Sequence, residues 1–451
     1  MTNTLFLPEL REMLAENNEA ELREFCTALH PARTAEFMEG LDLDEIWAVL
    51  QYADQSQRAE IFRYFDLDNQ AAMIESMDRG EVSQLIASLP HDERVDILRH
   101  VDDAIVDDIL LRLPTEERRD ILRLGAYPEG TAGAVMTTDF ARLSEDLTVN
   151  EALDEVRRQV EHLETIYYLY VVDATDHLRG LVSLRQLVLA KADTKVVDIM
   201  QREMVVVFVS DDQEDVARKL AHFDLLAIPV VGRDNRMLGI ITHDDVIDVV
   251  REEATEDAHR MSAVEPFSES YSQTSIPSMT RKRGVWLLGL FFIALLTVIT
   301  LGHYEEQFAR IKWLVLFIPL IISSGGNTGS QSATLVITAM VNGDVTFQDW
   351  FRIARRELAM GLLLGSALGS AGFVVAMMLS PGIVEASVVG LTLLLVVLCG
   401  ALIGAMLPLA LRKIGLDPAL MSNPAVACII DILGIIIYMS VAVTLMGSPA
   451  P

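Results

Sequence analysis

The chain has 451 residues, a formal net charge of −29 at pH 7 and 51% hydrophobic residues. A single uniform soluble domain is excluded, because 57 of the 65 acidic residues precede Gly284 and most of the long apolar runs follow it. We therefore expect an acidic part in water and a second part in lipid. Cys26, Cys399 and Cys428 show no CxxC or Cys/His spacing, so neither a disulfide framework nor a zinc site is predicted.

Residues 1–130 are predicted to form an acidic, all-α superhelical domain. A helical phrase recurs as SLPHDERVDIL, as RLPTEERRDIL and, more loosely, as YADQSQRAEIF. Each copy has a charged first turn, which suits a helix N-terminus, and apolar residues at helical spacing. Short helices stacked in an array are expected. Asp92 and Asp96 share a helix face by their i, i+4 spacing, but they are left outside the predicted metal-binding set.

Residues 131–250 contain a strand and helix unit that occurs twice. In each copy a Val-Val pair is followed eight positions later by a glycine, from Val172 to Gly180 and from Val231 to Gly239. The glycine is predicted to open an apolar strand that leads into a Ser or Thr and then a helix. Such a duplicated α/β unit should bury its strands against its twin. The copies resemble a tandem pair of CBS domains, which are regulatory modules.

Residues 251–283 are predicted to form a connecting helix and a polar linker, and residues 284–451 a membrane domain of five helices. Each predicted span is near or above the roughly 20 residues that a bilayer requires. The five spans are 285–302, 313–341, 358–379, 387–411 and 424–447. Basic residues follow spans two and four and precede span one, which predicts a cytoplasmic N-terminus and a C-terminus outside. We expect a multi-pass protein of the cytoplasmic (inner) membrane.

Two features of the predicted spans indicate an ion path. Asp431 is the only ionisable residue within the cores of predicted spans two to five. A charge at that depth normally faces a partner, a water-filled cavity or an ion path, although a protonated carboxyl bound to a neighbouring helix is an alternative. Span two carries Asn327, Thr328 and Gln331, which would offer neutral oxygens to a hydrated ion.

The donor types favour a hard cation. Oxygen ligands with few carboxylates and no sulfur or imidazole cluster speak against zinc and copper. Magnesium keeps its waters and is usually bound through one or two carboxylates, so two copies of Asp431 across a dimer axis would suit it. Spacing alone leaves magnesium, calcium and manganese open. Gly361, Gly365 and Gly369 are predicted to be helix-packing contacts without a transport role.

The membrane motifs resemble those of the MgtE family of magnesium channels. They are GGNTGSQSAT at 325–334, GLDPALMSNP at 415–424 and the intramembrane Asp431, and they follow a helical acidic domain and two CBS repeats. The resemblance implies a homodimer with a pore lined by spans two and five, where the aspartate matched by Asp431 holds a largely hydrated magnesium ion. It adds the backbone near Ala427 as a further contact and Asn423 at the cytoplasmic mouth.

One position departs from the family's pattern, since Cys428 stands where many members have threonine. A hydroxyl that would orient Asp431 is therefore absent. We therefore expect ion selectivity to differ from that of the members with threonine.

Crowded carboxylates in the soluble part predict a compact state that divalent cations stabilise. The resemblance implies a magnesium-selective channel for magnesium uptake, closed when cytoplasmic magnesium binds to the helical domain, the CBS domains and the connecting plug helix. The positions that match the family's regulatory sites are Glu214, Asp224, Asp245, Asp248, Glu253, Glu256, Asp257 and Asp417.

Two other functions stay open. One is a CBS-regulated transporter of another substrate, such as an anion, although a carboxylate as the sole buried charge speaks against an anion. The other is a membrane-tethered nucleotide sensor, because CBS pairs often bind adenine nucleotides; ATP would then contact Thr165, Ser183 and Thr242. An enzyme is not expected, since the sequence has no nucleophile-base pairing, phosphate loop or HExxH motif. No nucleic-acid partner is expected.

Overall fold

The computed structural model describes residues 6–160, 163–267, 271, 274–380, 382–420 and 423–446. Within these limits the chain divides into two compact units, and the division falls between Arg251 and Glu252 in the sequence. Positions 421 and 422 of the GLDPALMSNP motif and position 447 of the predicted fifth span lie outside the described residues. The same is true of part of the predicted polar linker.

Ten short helices of eight to ten residues open the chain. They are α1 (Leu7–Ala15), α2 (Glu19–Ala28), α3 (Pro31–Met38), α4 (Leu43–Leu50), α5 (Gln55–Phe62), α6 (Leu67–Ser76), α7 (Arg79–Ser88), α8 (His91–Arg99), α9 (Asp103–Arg112) and α10 (Thr115–Leu124). Asp54, Asp66 and Asp78 cap α5, α6 and α7 by accepting hydrogen bonds from first-turn amides. From α3 to α8 each helix packs on the second one after it, which confirms the predicted superhelical array.

Two three-stranded sheets follow. Their elements are β1 (Phe140–Ser144), α11 (Val149–Gln159), β2 (Thr165–Val172), β3 (Leu178–Ser183), α12 (Leu184–Leu189), α13 (Val196–Ile199), β4 (Val207–Phe208), α14 (Gln213–His222), β5 (Ala227–Val231) and β6 (Met237–Thr242). In both sheets the first two strands are parallel and the last two antiparallel. Phe140, Tyr170 and Ile240 belong to one hydrophobic core, so the two copies bury their strands against each other as predicted.

The two strand glycines lie further inside their strands than predicted. Strand β3 begins at Leu178 and β6 at Met237, two residues before Gly180 and Gly239. A Cβ on Gly239 would stand 2.5 Å from the carbonyl oxygen of Thr137. The glycine is therefore required by a close backbone approach and does not mark the start of the strand.

Helix α15 (His243–Met261) continues without a break through the predicted domain boundary at residue 250. Helix α16 (Ile276–His303) begins inside the predicted linker, so Arg281, Lys282 and Arg283 lie within its first eight residues. The predicted connecting helix is thus the second half of a longer helix that starts in the second CBS copy.

The remaining helices are α17 (Glu305–Arg310), α18 (Trp313–Val341), α19 (Trp350–Leu379), α20 (Ile383–Lys413) and α21 (Asn423–Met446), with 3-10 turns at Phe347–Asp349 and Pro418–Leu420. In the described part of the chain, five helices are long and apolar enough to cross a membrane, namely α16 and α18 to α21. This confirms the predicted number of spans. Helix α18 has the predicted bounds, whereas α19 begins eight residues before the predicted span and includes Arg352, Arg355 and Glu357.

Helices α19 and α20 pack through the glycines that were predicted to be packing contacts. A Cβ on Gly365 would lie 2.8 Å from the carbonyl oxygen of Leu394, and one on Gly369 would lie 2.6 Å from that of Gly390. Gly361 faces Leu398 in the same way. Small residues allow this close backbone approach inside a membrane.

Candidate functional site

The membrane helices bring Asp431 to the glycine-rich part of α18. A Cβ on Gly326 would lie 3.4 Å from Cβ of Ala427 and 3.9 Å from Oδ1 of Asp431. One turn further along α18, Gly329 packs against Ile430. These glycines let α21 approach α18 closely, so the two features that the sequence singled out are neighbours in space.

A file of polar side chains runs along one face of α18. Ser323, Asn327 and Gln331 are spaced by four residues and are exposed in the single chain. Lipid does not satisfy amide and hydroxyl groups, so such a face belongs against water or another protein surface. Thr328 is buried, and its hydroxyl donates to the carbonyl of Ser324 at 2.9 Å, so this predicted pore residue already has a partner within its own helix.

Further along α18, three hydroxyl groups form hydrogen bonds to neighbouring helices. Ser330 donates to the backbone carbonyl of Asn423 at 3.2 Å, and Thr334 donates to its side-chain oxygen at 3.2 Å. Between them, Ser332 donates to Oε2 of Glu357 at 2.8 Å. Glu357 was missed from the sequence because it directly precedes the predicted third span.

The Arg260 cluster joins the end of α15 to the segment before α21. Arg260 forms ion pairs with both Glu256 and Asp417. Burial, followed by the charges of Asp417 and Glu253, raises the pKa of Asp257 to about 6. Four predicted regulatory residues therefore lie around one arginine, which the sequence had not indicated.

The α8–CBS acidic group consists of Asp92, Glu93, Glu164 and Asp245. Asp245 accepts a hydrogen bond from the hydroxyl of Thr242 at 2.5 Å. Burial, followed by the charge of Asp245, raises the pKa of Asp92, and the same two causes raise the pKa of Glu164 to about 7. Glu93 and Glu164 were not predicted, because only folding brings α8 beside the CBS pair.

Two oxygens of the α8–CBS acidic group are buried without a hydrogen-bond partner in the described structure, Oδ1 of Asp92 and Oε2 of Glu93. Arg63 pairs with the other oxygen of Glu93. An unsatisfied buried polar atom costs about 1–3 kcal/mol, and a charged one costs more, so a cation at this place would stabilise the structure. Across the described residues, no three Asp, Glu, His or Cys side chains already form a metal-binding group.

The other predicted regulatory residues have different surroundings. Glu214 is in the first turn of α14 and pairs with Arg218 at 3.1 Å. Asp248 is exposed on α15 and pairs with Arg251 at 3.7 Å. Asp224 is exposed and has a φ of 50°. In the single chain these three residues lie apart from both acidic groups described above.

The CBS pair contains a cavity of about 490 Å³. Tyr168, Phe223, Gln201 and Glu203 are among its lining residues. The aromatic faces suit a planar base, and the amide and carboxylate suit hydroxyl groups. This cavity has the size and chemistry of a nucleotide site.

The predicted nucleotide contacts have structural partners instead. The hydroxyl of Ser183 accepts from the backbone of Gln186 at 3.2 Å and caps α12. Thr242 donates to the carboxylate at the start of α15, and Thr165 accepts a hydrogen bond from the backbone of Tyr167. Within the described residues, none of the three lines the 490 Å³ cavity.

Three sequence families match successive parts of the chain. The MgtE intracellular N domain matches residues 29–130, the CBS domain matches 132–193 and 196–252, and MgtE, a divalent cation transporter, matches 318–441. The chain is 41% identical over 324 residues to the magnesium transporter MgtE of Thermus thermophilus, and the match covers 71% of each protein. The chain belongs to the MgtE family. It is thus a multi-pass membrane protein of a transporter family.

A second relative and two solved structures are also similar to this chain, and their names all refer to magnesium transport. The magnesium transporter MgtE of Enterococcus faecalis is 34% identical over 316 residues, which is 70% of this chain and 69% of that protein. The crystal structure of the soluble part of a magnesium transporter has a TM-score of 0.52 at 36% identity and covers 55% of this chain and 97% of that chain. The cytosolic domain of the Mg2+ channel MgtE in complex with ATP has a TM-score of 0.51 at 33% identity, with 53% and 98% covered.

Proposed function

We propose that the protein is a magnesium-selective channel of the cytoplasmic membrane, which admits Mg2+ and closes when cytoplasmic Mg2+ binds to its acidic soluble part. The observation that carries the proposal is the position of Asp431 beside Gly326, next to the exposed polar face of α18. The MgtE relatives whose names specify magnesium support the choice of ion.

The pore is formed by two copies of the chain, with α18 and α21 of each copy facing the axis. The exposed file of Ser323, Asn327 and Gln331 supports this arrangement, because a second copy and water would satisfy these groups. Asp431 and the backbone near Ala427 contact an ion that keeps most of its waters. Asn423, fixed by two hydrogen bonds to α18, lies at the cytoplasmic mouth.

Closure uses the two acidic groups of the soluble part and the plug helix. In the division into residues 1–130, 131–250, 251–283 and 284–451, the sensor comprises the first three segments, and Asp417 joins it from the fourth. Mg2+ relieves the repulsion among the carboxylates of the Arg260 cluster and satisfies the unpartnered oxygens of Asp92 and Glu93. Glu214, Asp224 and Asp248 add ligands where the two copies pair. The sensor lies in the cytoplasm, as the basic residues near the spans favour.

The transport proposal is tested by Mg2+ entry into liposomes that contain the purified protein and a trapped Mg2+-sensitive dye. Native protein is compared with Asp431→Ala at equal amounts of monodisperse protein and low Mg2+ on the sensor side. Entry through the native protein and its absence in the variant support the pore. Equal entry through both would reject Asp431 as its site, and no entry through either would favour a membrane-tethered sensor.

We also propose that ATP binds in the 490 Å³ cavity. The support is the aromatic and polar lining together with the ATP complex of the similar cytosolic domain. Tyr168 and Phe223 would hold the base, and Glu203 the ribose hydroxyls. Calorimetric titration with ATP tests this, because Tyr168→Ala should weaken binding about tenfold while Thr165→Ala leaves it unchanged. Weaker binding in Thr165→Ala together with unchanged binding in Tyr168→Ala would move the nucleotide from the cavity to the residues predicted from the sequence.

A further inference from the structure

Glu357 is a carboxyl group inside a membrane helix, two turns from the start of α19. It accepts a hydrogen bond from Ser332 of α18 at 2.8 Å. Ser332 is only 5% exposed and Glu357 is half-buried, so the bond is partly shielded from the surroundings of the helices. A carboxyl group near the edge of a membrane span that accepts a hydrogen bond from the next helix links the two helices, so this pair joins α19 to α18.

The hydrogen bond between Ser332 and Glu357 bears on how α18 is turned about its own axis. At 3.6 residues per turn, Ser332 points about 100° away from Gln331 and about 140° away from Asn327. Ser330 and Thr334, which bind Asn423, each point about 160° away from Ser332, on the side of α18 that carries the polar file. Hydrogen bonds in two different directions within five residues fix how the helix is turned about its axis, and thereby the direction of the polar file.

Helix α19 is a firm support for this bond. Gly361, one turn after Glu357, begins the row of glycines through which α19 packs closely on α20. Gly404 of α20 packs in turn against the backbone of Gly329 in α18. The helix that carries Glu357 is therefore held in place independently of Ser332.

We propose that Glu357 is a positioning residue of the pore. Through Ser332 it holds α18 in the rotation that directs Asn327 and Gln331 toward the ion path. It acts through its oxygen as a hydrogen-bond acceptor, and its charge is not required. This inference rests on the proposed function of α18 and α21 as the pore lining.

The test measures Mg2+ and Ca2+ entry into liposomes for native protein, Glu357→Ala, Glu357→Gln, Ser332→Ala and the double alanine variant. Loss of one interhelical hydrogen bond should reduce Mg2+ entry about fivefold in both single alanine variants. The ratio of Mg2+ to Ca2+ entry should fall as well. Glu357→Gln keeps an acceptor oxygen and should restore both values, and the double variant should be no worse than either single one.

Several results would contradict the proposal in different ways. Native Mg2+ entry in Glu357→Ala would remove any role for the residue. Equal loss in Glu357→Gln and Glu357→Ala would show that the charge matters, which makes Glu357 part of the ion path. Absence of Mg2+ entry in the native protein would reject the proposed pore itself. If Glu357→Ala does not fold, Ser332→Ala decides, because it removes the same bond by deleting one oxygen.

Discussion

The membrane helices differ from the segments outside them, namely the soluble part and the loop that holds Asp417, in how many carboxylates they gather at one place. Asp431 stands beside glycines and exposed amides of α18, whereas the Arg260 cluster and the α8–CBS acidic group each hold four carboxylates. The affinity of oxygen sites for divalent cations rises with the number of charged ligands. A single carboxylate per chain suits an ion that must leave again, and a crowded group suits an ion that is to be held.

The two regions also differ in whether arginine side chains pair with their carboxylates. In the Arg260 cluster, Arg260 pairs with Glu256 and Asp417, and beside the α8–CBS acidic group, Arg63 pairs with Glu93. These arginines neutralise part of the charge, so the groups can persist before a divalent ion arrives. Under the proposed function, the same ion would be conducted where each chain offers one carboxylate and held where four carboxylates are gathered.

The largest expected effect removes the single carboxylate. Asp431→Asn keeps the size of the side chain and deletes its charge, and we expect at least a hundredfold loss of Mg2+ entry, because the ion then has no anionic ligand in the membrane. Dye-loaded liposomes measure it. Glu385→Gln, in the first turn of α20, is the matched control and should conduct normally; an equal loss there would mean that any membrane acid matters.

Closure by Mg2+ should fail when the charge of one carboxylate in the Arg260 cluster is reversed. Asp257→Lys adds a second fixed cation beside Arg260, so Mg2+ no longer gains from binding there, and entry should become independent of Mg2+ on the sensor side. Patch recordings with stepped Mg2+ measure this. Asp193→Lys, on an exposed position of the first CBS copy, should still close. Retained closure in Asp257→Lys would exclude the Arg260 cluster from sensing.

The close packing of α19 on α20 in the membrane region should not tolerate an added methyl group. Gly365→Ala places a Cβ 2.8 Å from the carbonyl oxygen of Leu394, and overpacking of this kind costs about 1–3 kcal/mol. Thermal unfolding in detergent should show a lower midpoint. Gly289→Ala is the control, since no described atom lies within 4 Å of its Cβ. Equal stability of both variants would argue against close α19–α20 packing.

The smallest expected effect is a pH dependence of the sensor. The pKa of Glu164 is about 7 in the folded protein against an ordinary 4.5, so the folded state holds a proton that the unfolded chain releases between these values. The contribution of Glu164 to stability is therefore fully present below about pH 4.5 and is lost as the pH rises through 7. The midpoint of thermal unfolding should fall over that range, and Glu164→Gln should flatten the fall. A midpoint that rises with pH would contradict the burial of Glu164.

Local patterns predicted much of the fold. The duplicated Val-Val and glycine spacing identified the CBS pair, and long apolar runs located five membrane helices, with α18 at its observed bounds. Boundaries were less accurate where a helix continues beyond its apolar part. Helix α19 extends through Arg352 and Glu357, because charged residues are compatible with helix at a membrane edge even though they lower the hydropathy.

The candidate site was predicted where chemistry is concentrated in one segment. Asp431 and the glycine motif stood out because polar groups in an apolar run are conspicuous. Arg260 and Glu164 did not, because charged residues in an acidic helical chain have no local signal and gain their role only from residues brought close by folding. Of the predicted nucleotide contacts, the Ser183 hydroxyl caps α12 and the Thr242 hydroxyl donates to Asp245, which are uses that the same sequence pattern also permits.

The most direct test of conduction and sensing by one chain is a patch recording of Mg2+ current while Mg2+ on the sensor side is raised. The native protein should conduct at low Mg2+ and close as the concentration rises, whereas Asp257→Lys should stay open and Asp431→Asn should carry no current at any concentration. A native current that is unaffected by Mg2+ on the sensor side, with Asp431 still required, would contradict the sensor and leave only the pore.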